Sequence, residues 1–272
     1  MFKNKTVFIT GATRGIGREI ALHFAKQHAN VVITGKTQTA NPKLPGTIHS
    51  VAEEVEKLGG KALPILLDVR DVENVHQAFE AAAIHFGGID ILINNASAIH
   101  LANTEAMTDK RFDLMMACNV RGTFFSTQAA LPFLKKAKNP HVINLSPPLN
   151  LNPKWFKDHL AYTYSKYGMS FCTLGMAEEF KPFGIAVNSL WPQTTIATAA
   201  IAVHFPPEIL AGSRKPAIMA DAVLHLVQEE SKQFTGQFLI DETYLKEKGV
   251  VDFSQYACQP GTKLYTDFFI DA

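Results

Sequence analysis

Lys5-Thr6-Val7-Phe8-Ile9-Thr10-Gly11-Ala12-Thr13-Arg14-Gly15-Ile16-Gly17 opens the chain, and its reading decides the fold. Residues 5 to 10 are β-branched and apolar in the manner of a strand covered on both faces, and they run directly into a glycine-rich loop and a helix pattern from Arg18 to Lys26. Glycines at these places permit a tight turn, close approach of the backbone to a pyrophosphate, and close packing of helix on strand. The helix N-terminus adds unpaired N–H groups and the positive end of its dipole. Gly11, Thr13, Arg14, Gly15, Ile16 and Gly17 are therefore candidates for contact with a dinucleotide.

Outward from this loop, strand and helix signals alternate to the end of the chain. Strands are expected at 30–34, 62–67, 89–93, 142–145, 185–190 and 237–240, and helices at 50–58, 72–86, 108–119, from Arg121 to Leu134, from Tyr162 to Phe180 and at 220–228. Residues 194–216 read as an irregular, partly helical lid, and 37–49 as a long polar loop that either covers a cofactor or is a plain insertion. Such alternation predicts an α/β fold, a doubly wound parallel sheet (Rossmann) in a single domain over 1–272, with a C-terminal extension from about 242 to 272. In that architecture the ligand lies at the carboxyl ends of the strands.

The residues at those ends carry chemistry. The second strand ends in Gly35-Lys36 with no acidic residue to bond a ribose 2′-hydroxyl, and Lys36 with Arg14 can flank a 2′-phosphate. This points to NADP(H); the other reading is that both are surface cations. The third strand delivers Asp68 and Val69 where adenine would lie. The fourth is followed by Asn94-Asn95-Ala96-Ser97, which suits either a ribose contact or an Asn-rich turn.

Composition excludes several classes. A net charge of +1 provides no field for nucleic acid or an acidic membrane surface, and Lys135, Lys136 and Lys138 read as a solvated helix end. Three cysteines in no metal or disulfide spacing indicate a reducing compartment, and the histidines include no metal-binding pair, although His159 adjoins the Tyr162 helix. With no apolar run of the ~18 residues a membrane span needs, and a strand beginning near Lys5, the expectation is a cytoplasmic protein without metal.

Tyr162 and Lys166 stand four apart on one helix, so their side chains share a face. A free phenol titrates near about 10, and an adjacent ammonium favours the phenolate, which brings the group toward working pH. Tyr162 is the acid/base candidate. Tyr244 and Lys248 share the spacing, but in a charged segment away from any cofactor motif, and read as an exposed face.

Thr10-Gly-x-x-x-Gly-Ile-Gly17, Asp68, Asn94-Asn95-Ala96, Asn119 and Tyr162-x-x-x-Lys166, in this order, resemble the short-chain dehydrogenase/reductase (SDR) family. The resemblance covers most of the chain. More narrowly, the Asn41-Pro-Lys-Leu-Pro-Gly-Thr-Ile48 insertion, Ser146-Pro-Pro-Leu-Asn-Leu-Asn-Pro153 and Thr266-Asp-Phe-Phe-Ile-Asp271 are similar to the hydroxysteroid-dehydrogenase-like branch, without the sterol-carrier domain some of its members carry. The resemblance implies hydride transfer at nicotinamide C4. Tyr162 would exchange a proton with the substrate oxygen, and Lys166 would hold the nicotinamide ribose and tune Tyr162. Asn119 would anchor a water relay to the lysine, while Pro192, Thr194 and Thr195 would approach the carboxamide and pyrophosphate. Helices through which the family forms homodimers or homotetramers match Gly122 to Leu134 and Tyr167 to Ala177, both apolar nearly all round.

One departure stands out. The family's catalytic serine falls at Pro147; Ser146 precedes it on a strand, where neighbours point to opposite faces, and is the candidate substitute along with Asn150 and Asn152. The expected function is an NADP-dependent oxidoreductase of an alcohol/carbonyl pair, its small-molecule substrate apolar if Ile99, Leu101, Trp155, Phe156, Ile196 and Phe205 flank the nicotinamide. The rival is a dinucleotide-binding sensor or scaffold with little catalysis, which Pro147 favours.

Overall fold

A computed structural model describes residues 2–41 and 45–271, so part of the 37–49 loop lies outside the described residues. Seven strands, β1 Thr6–Ile9, β2 Asn30–Gly35, β3 Lys61–Leu66, β4 Ile91–Asn94, β5 His141–Asn144, β6 Ala186–Trp191 and β7 Phe238–Ile240, pair in parallel in the order β3-β2-β1-β4-β5-β6-β7. Successive side chains on a strand point to opposite faces, and the interior divides accordingly. Val7, Ile9, Val31, Ile33, Ile91 and Ile93 face one core, built with α1 Gly15–Lys26, α2 Ile48–Lys57, α9 Ala217–Leu226 and α10 Asp241–Glu247. Phe8, Val32, Leu92 and Val142 face the other, under α3 Val72–Phe86, α5 Gly122–Leu134 and α6 Leu160–Glu179. Phe8 stacks on Phe79 across that second layer at 3.8 Å between ring centres.

The strand order reverses between β1 and β4, which opens a crevice beyond their carboxyl ends. Two short helices, α7 Ala199–His204 and α8 Pro207–Ala211, occupy the expected lid. The described end of the 37–49 loop is fastened to α2 by a reciprocal cap. Ser50 N–H donates to Thr47 Oγ1 at 3.0 Å, and Thr47 N–H donates to Ser50 Oγ at 2.9 Å.

Two local expectations are corrected. The helix expected to end at Asn119 runs on without a break: α4 Asp109–Met115 passes through a π-helical segment, Met116–Arg121, into α5. The wider turn places Asn119 inside, fully buried, where a sequence periodicity of 3.6 has no signature for it. Tyr244 is not on an exposed face. It is buried in the first core and its hydroxyl donates to Glu229 at 2.8 Å, while Lys248 ion-pairs with the same carboxylate. The C-terminal segment is therefore part of the core, through contacts that local charge patterning cannot show.

Candidate active site

A cavity of ≈ 650 Å³ lies at the strand ends, and its wall runs from the glycine loop through Lys36, Asp68 and Asn95 to Tyr162, Lys166 and Pro192. The glycine loop is shaped by close backbone approach. Gly11 has φ +69°, and a Cβ on it would stand 2.9 Å from Ala96 Cα; a Cβ on Gly17 would stand 2.5 Å from Asn95 Nδ2 and 2.6 Å from the Gly11 carbonyl. Asn95 Nδ2 donates to the carbonyls of Thr10 and Gly11 at 2.9 and 2.8 Å, and Thr10 Oγ1 accepts from the N–H groups of Asn95 and Ala96, both at 3.0 Å. The Asn-rich stretch thus locks β4 to the loop, and Gly11, Thr13, Gly15 and Ile16 are left lining the cavity with Asn95 and Ala96. Gly17 does not line it; it lets the helix seat against Asn95.

At one end of the cavity the charges are cationic apart from Asp68. The Arg70 guanidinium forks onto Asp68, with Nε 2.9 Å from Oδ1 and Nη2 2.5 Å from Oδ2, and Lys36 Nζ stands 3.7 Å from Oδ2. The Arg70 hydrogen bond holds the Asp68 carboxyl well below the usual carboxylate range, at about 2, with Lys36 adding to it against the cost of burial. Arg14 reaches toward the loop after β2, donating to Thr37 Oγ1 at 3.2 Å and to the Gly46 carbonyl at 3.3 Å. Arg14, Lys36 and Arg70 all line the cavity. The sequence reading missed Arg70, although a basic residue two positions past Asp68 was there to be seen.

Tyr162 and Lys166, from the first turns of α6, line the other end. Both are buried, at 6% and 3% exposure, which decides their protonation. Burial pushes the Tyr162 phenol far above its ordinary value, and the nearby Asp267 charge acts in the same direction. Burial pulls Lys166 down to about 7, opposed by the charges of Cys118 and Asp267. Its Nζ donates to the Leu145 carbonyl at 2.6 Å and lies 3.3 Å from Met169 Sδ. The expected lowering of the phenol by its lysine is therefore corrected: in this arrangement Tyr162 is a neutral phenol.

Asn119 sits behind this pair. Its Oδ1 accepts from Ala98 N–H at 2.7 Å, and its Nδ2 donates to the Ala98 carbonyl and to Ser165 Oγ, both at 2.9 Å. The side chain ties the segment after β4 to α6 and does not line the cavity.

The substitute donors are not brought to the site. Ser146 is fully buried and its Oγ pairs with Ser189 Oγ at 2.8 Å, on the side of β6, as alternation along an extended chain requires. Asn150 Nδ2 donates to the Phe269 carbonyl at 3.3 Å and to Asp271 at 2.7 Å, and the exposed Asn152 caps a short 3₁₀ turn through Lys154 N–H at 3.2 Å. Thr194 bridges Thr266 through the backbone and lies outside the cavity wall, whereas Val69, Pro192 and Thr195 are in it. Of the apolar set, Ile99, Ile196 and Phe205 line the cavity; Leu101, Trp155 and Phe156 pack instead in the cluster around Tyr162 and Phe269. His159 is buried beside Tyr162, and its ring stacks on Phe268 at 4.9 Å.

The largest omission of the sequence reading is the C-terminal tail. Tyr265, Thr266, Asp267 and Phe268 line the cavity, while Phe269 is buried against Tyr162, Tyr167 and Trp191 at 6.3, 5.3 and 5.8 Å between rings. Trp191 Nε1 donates to the Phe268 carbonyl at 2.9 Å, and Asp267 N–H to that of Gln193 at 3.1 Å. The available signal was the apolar run Phe268-Phe269-Ile270 set between Asp267 and Asp271. Among the described residues no cluster of side chains suits a metal ion, and no helix is long and apolar enough to cross a membrane.

Known proteins share this framework. A family model described as short chain dehydrogenase matches residues 5–204. Hydroxysteroid dehydrogenase-like protein 2 of Bos taurus is 57% identical over 266 residues, 98% of this chain and 63% of its own length; the Homo sapiens protein of that name is 56% identical over the same shares. The chain thus spans 63% of the length of these curated relatives. The structure of a putative dehydrogenase from Xanthomonas campestris matches with a TM-score of 0.96 at 49% identity, covering 100% of both chains. A short chain dehydrogenase from Mycobacterium thermoresistibile matches at 0.94 and 46%, over 99% of this chain and 96% of that one. With the family match extending over most of its length and near-half identity across whole solved structures, the chain belongs to the short chain dehydrogenase family of oxidoreductases.

Proposed function

We propose that the protein is an NADP(H)-dependent oxidoreductase that reduces an apolar carbonyl compound to its alcohol. One observation carries the reading: a single cavity joins the glycine loop and Lys36 at one end to Tyr162 and Lys166 at the other. The backbone cradle around Gly11, which a Cβ would obstruct, fits a dinucleotide pyrophosphate, and the cations Arg14, Lys36 and Arg70 fit a 2′-phosphate. A bound NADPH supplies the hydride that reduces the carbonyl carbon.

The chain supplies the proton and the orientation. Tyr162, held neutral by burial, gives its phenolic proton to the substrate oxygen as that oxygen gains charge, and is reprotonated from solvent afterwards. Lys166 carries the charge that steadies the phenolate left behind, and with NADPH bound it would also hold the nicotinamide ribose. Ile99, Ile196, Phe205 and Phe268 shape an apolar approach that keeps water away. Ser146 turned onto Ser189 supports the rival reading, a nucleotide sensor, and a cofactor-oxidation assay over a panel of aldehydes and ketones separates the two.

Two results are expected here. Lys36→Glu should weaken NADPH binding by about 1 to 3 kcal/mol, by losing a charge-assisted contact and placing a second carboxylate beside Asp68. Titration checks this, and equal affinity of the unaltered protein for NADH and NADPH contradicts the cofactor assignment. Phe124 on α5 and Phe171 and Leu174 on α6 are exposed large apolar side chains, and we assign them to the contact of a homodimer or homotetramer. Light scattering at micromolar concentration should give a multiple of the chain mass; a monomer contradicts it.

A further inference from the structure

Among the described residues, Asp68 is the carboxylate that lines the cavity at its Lys36 end, and a negative charge there opposes a 2′-phosphate. Its place is set by the backbone around it. Asp68 N–H donates to Asn74 Oδ1 at 3.0 Å, its carbonyl accepts from Asp71 N–H at 3.0 Å, and the Asp71 side chain caps α3 by accepting from Asn74 N–H at 3.1 Å. Two cations compete for the carboxylate. Arg70 reaches both oxygens, Nε at 2.9 Å from Oδ1 and Nη2 at 2.5 Å from Oδ2, whereas Lys36 Nζ stands 3.7 Å from Oδ2, outside hydrogen-bond length. A planar guanidinium matches both oxygens of a carboxylate at once, and an ammonium, a point charge, does not. The fork therefore prevails, and the Lys36 ammonium, on a side chain 60% exposed, stays open to a second anion. An ion pair as exposed as Arg70 and Asp68 adds little to stability, so its worth lies in what it does to the cavity.

We propose that Arg70 is a positioning residue that sets the preference for NADP(H) over NAD(H): by engaging both oxygens of Asp68 it offsets the local repulsion and leaves Lys36 for the 2′-phosphate. This rests on the NADP(H) reading above, and it gives Arg70 its part in that fit through Asp68 rather than through the phosphate itself. Without the fork, Asp68 turns to the nearest remaining cation. Lys36 Nζ has about 1 Å to close before it hydrogen-bonds Oδ2, and once there its charge is spent on the carboxylate. The phosphate then loses its cation and meets a carboxylate together. NADH carries no 2′-phosphate and is indifferent to which cation Asp68 holds. The carboxylate itself stays where it is, because Asn74, the Asp71 N–H and the Arg70 N–H, which donates to Oδ1 at 3.1 Å, do not depend on the guanidinium.

The test is the ratio of the NADH to the NADPH dissociation constant, titrated at one fixed ionic strength because salt at 0.1 M screens exposed charges over about 10 Å. Arg70→Gln should lower that ratio by about tenfold, the lower end of what one charge-assisted contact is worth, with NADH affinity changed by less than about twofold. In an Asp68→Asn background the same Arg70→Gln change should lower the ratio by less than about threefold, because no carboxylate is left to claim Lys36. Any contact of Asp68 with adenine is common to both cofactors and cancels in the ratio. A tenfold loss in both backgrounds means that Arg70 acts on the phosphate independently of Asp68, and overturns the proposal. So does an unchanged ratio in Arg70→Gln, which leaves only a surface ion pair, and so does an equal loss of NADH and NADPH, which marks a structural role. If Lys36→Glu loses NADPH while Arg70→Gln keeps it, this proposal falls and the NADP(H) reading stands. An unaltered protein that binds the two cofactors alike overturns both.

Discussion

Tyr162→Phe is expected to lower carbonyl reduction by about 10²- to 10⁴-fold, the range of a lost general acid, while NADPH affinity stays close to that of the unaltered protein. The substitution removes one oxygen from a buried ring that packs against Phe269 at 6.3 Å, so the aromatic wall of the cavity stays in place. It also removes the group placed to give a proton. Tyr164 cannot replace it: two residues along α6 puts it on another face, where it is exposed. Steady-state turnover and a cofactor titration on the same preparation separate the two effects, and unaltered turnover sinks the acid assignment.

Lys166→Ala should weaken both cofactor binding and turnover. One charge-assisted hydrogen bond to the ribose is worth about 1.5 to 3 kcal/mol, roughly a ten- to hundredfold loss of NADPH affinity. Turnover falls further, because the phenolate left on Tyr162 loses its neighbouring cation in a buried setting where no solvent replaces it. The variant also leaves the Leu145 carbonyl without its donor and opens space beside Trp191, over whose ring the ammonium lies at 5.0 Å. A lower melting temperature is therefore expected, unlike Tyr162→Phe. Because burial holds Lys166 near 7, activity that depends on its ammonium should decline above neutral pH. NADPH affinity equal to that of the unaltered protein contradicts the ribose role.

These side chains differ in how far they are legible from the sequence. The glycine loop, the apolar strands and the Tyr162–Lys166 spacing are local patterns, each set by a backbone turn or a periodicity within a few residues. They place the sheet, the crevice and the two ends of the cavity. The orientation of Ser146 was also foreseeable, because alternation along an extended chain turns it from the face that Pro147 occupies. What local patterns cannot show is contact across long separations. Asp267 reads as an ordinary polar residue near the chain's end until the Thr266 backbone bridges Thr194 and Phe269 is driven into the core beside Trp191. Tyr244 likewise reads as surface until Glu229 is brought to its hydroxyl. The neutral state of Tyr162 belongs to the same class, since spacing puts a cation nearby whereas burial, a property of the whole fold, decides the proton.

Hydride transfer from the nicotinamide to a substrate carbon is tested most directly with isotope. NADPH deuterated on the transferred C4 position is incubated with the protein and the aldehyde and ketone panel, and each alcohol formed is weighed by mass spectrometry. One deuterium bonded to the carbinol carbon, absent when Tyr162→Phe replaces the unaltered protein, is the expected result. NADPH bound in the cavity with no deuterium delivered to any carbonyl of the panel contradicts it.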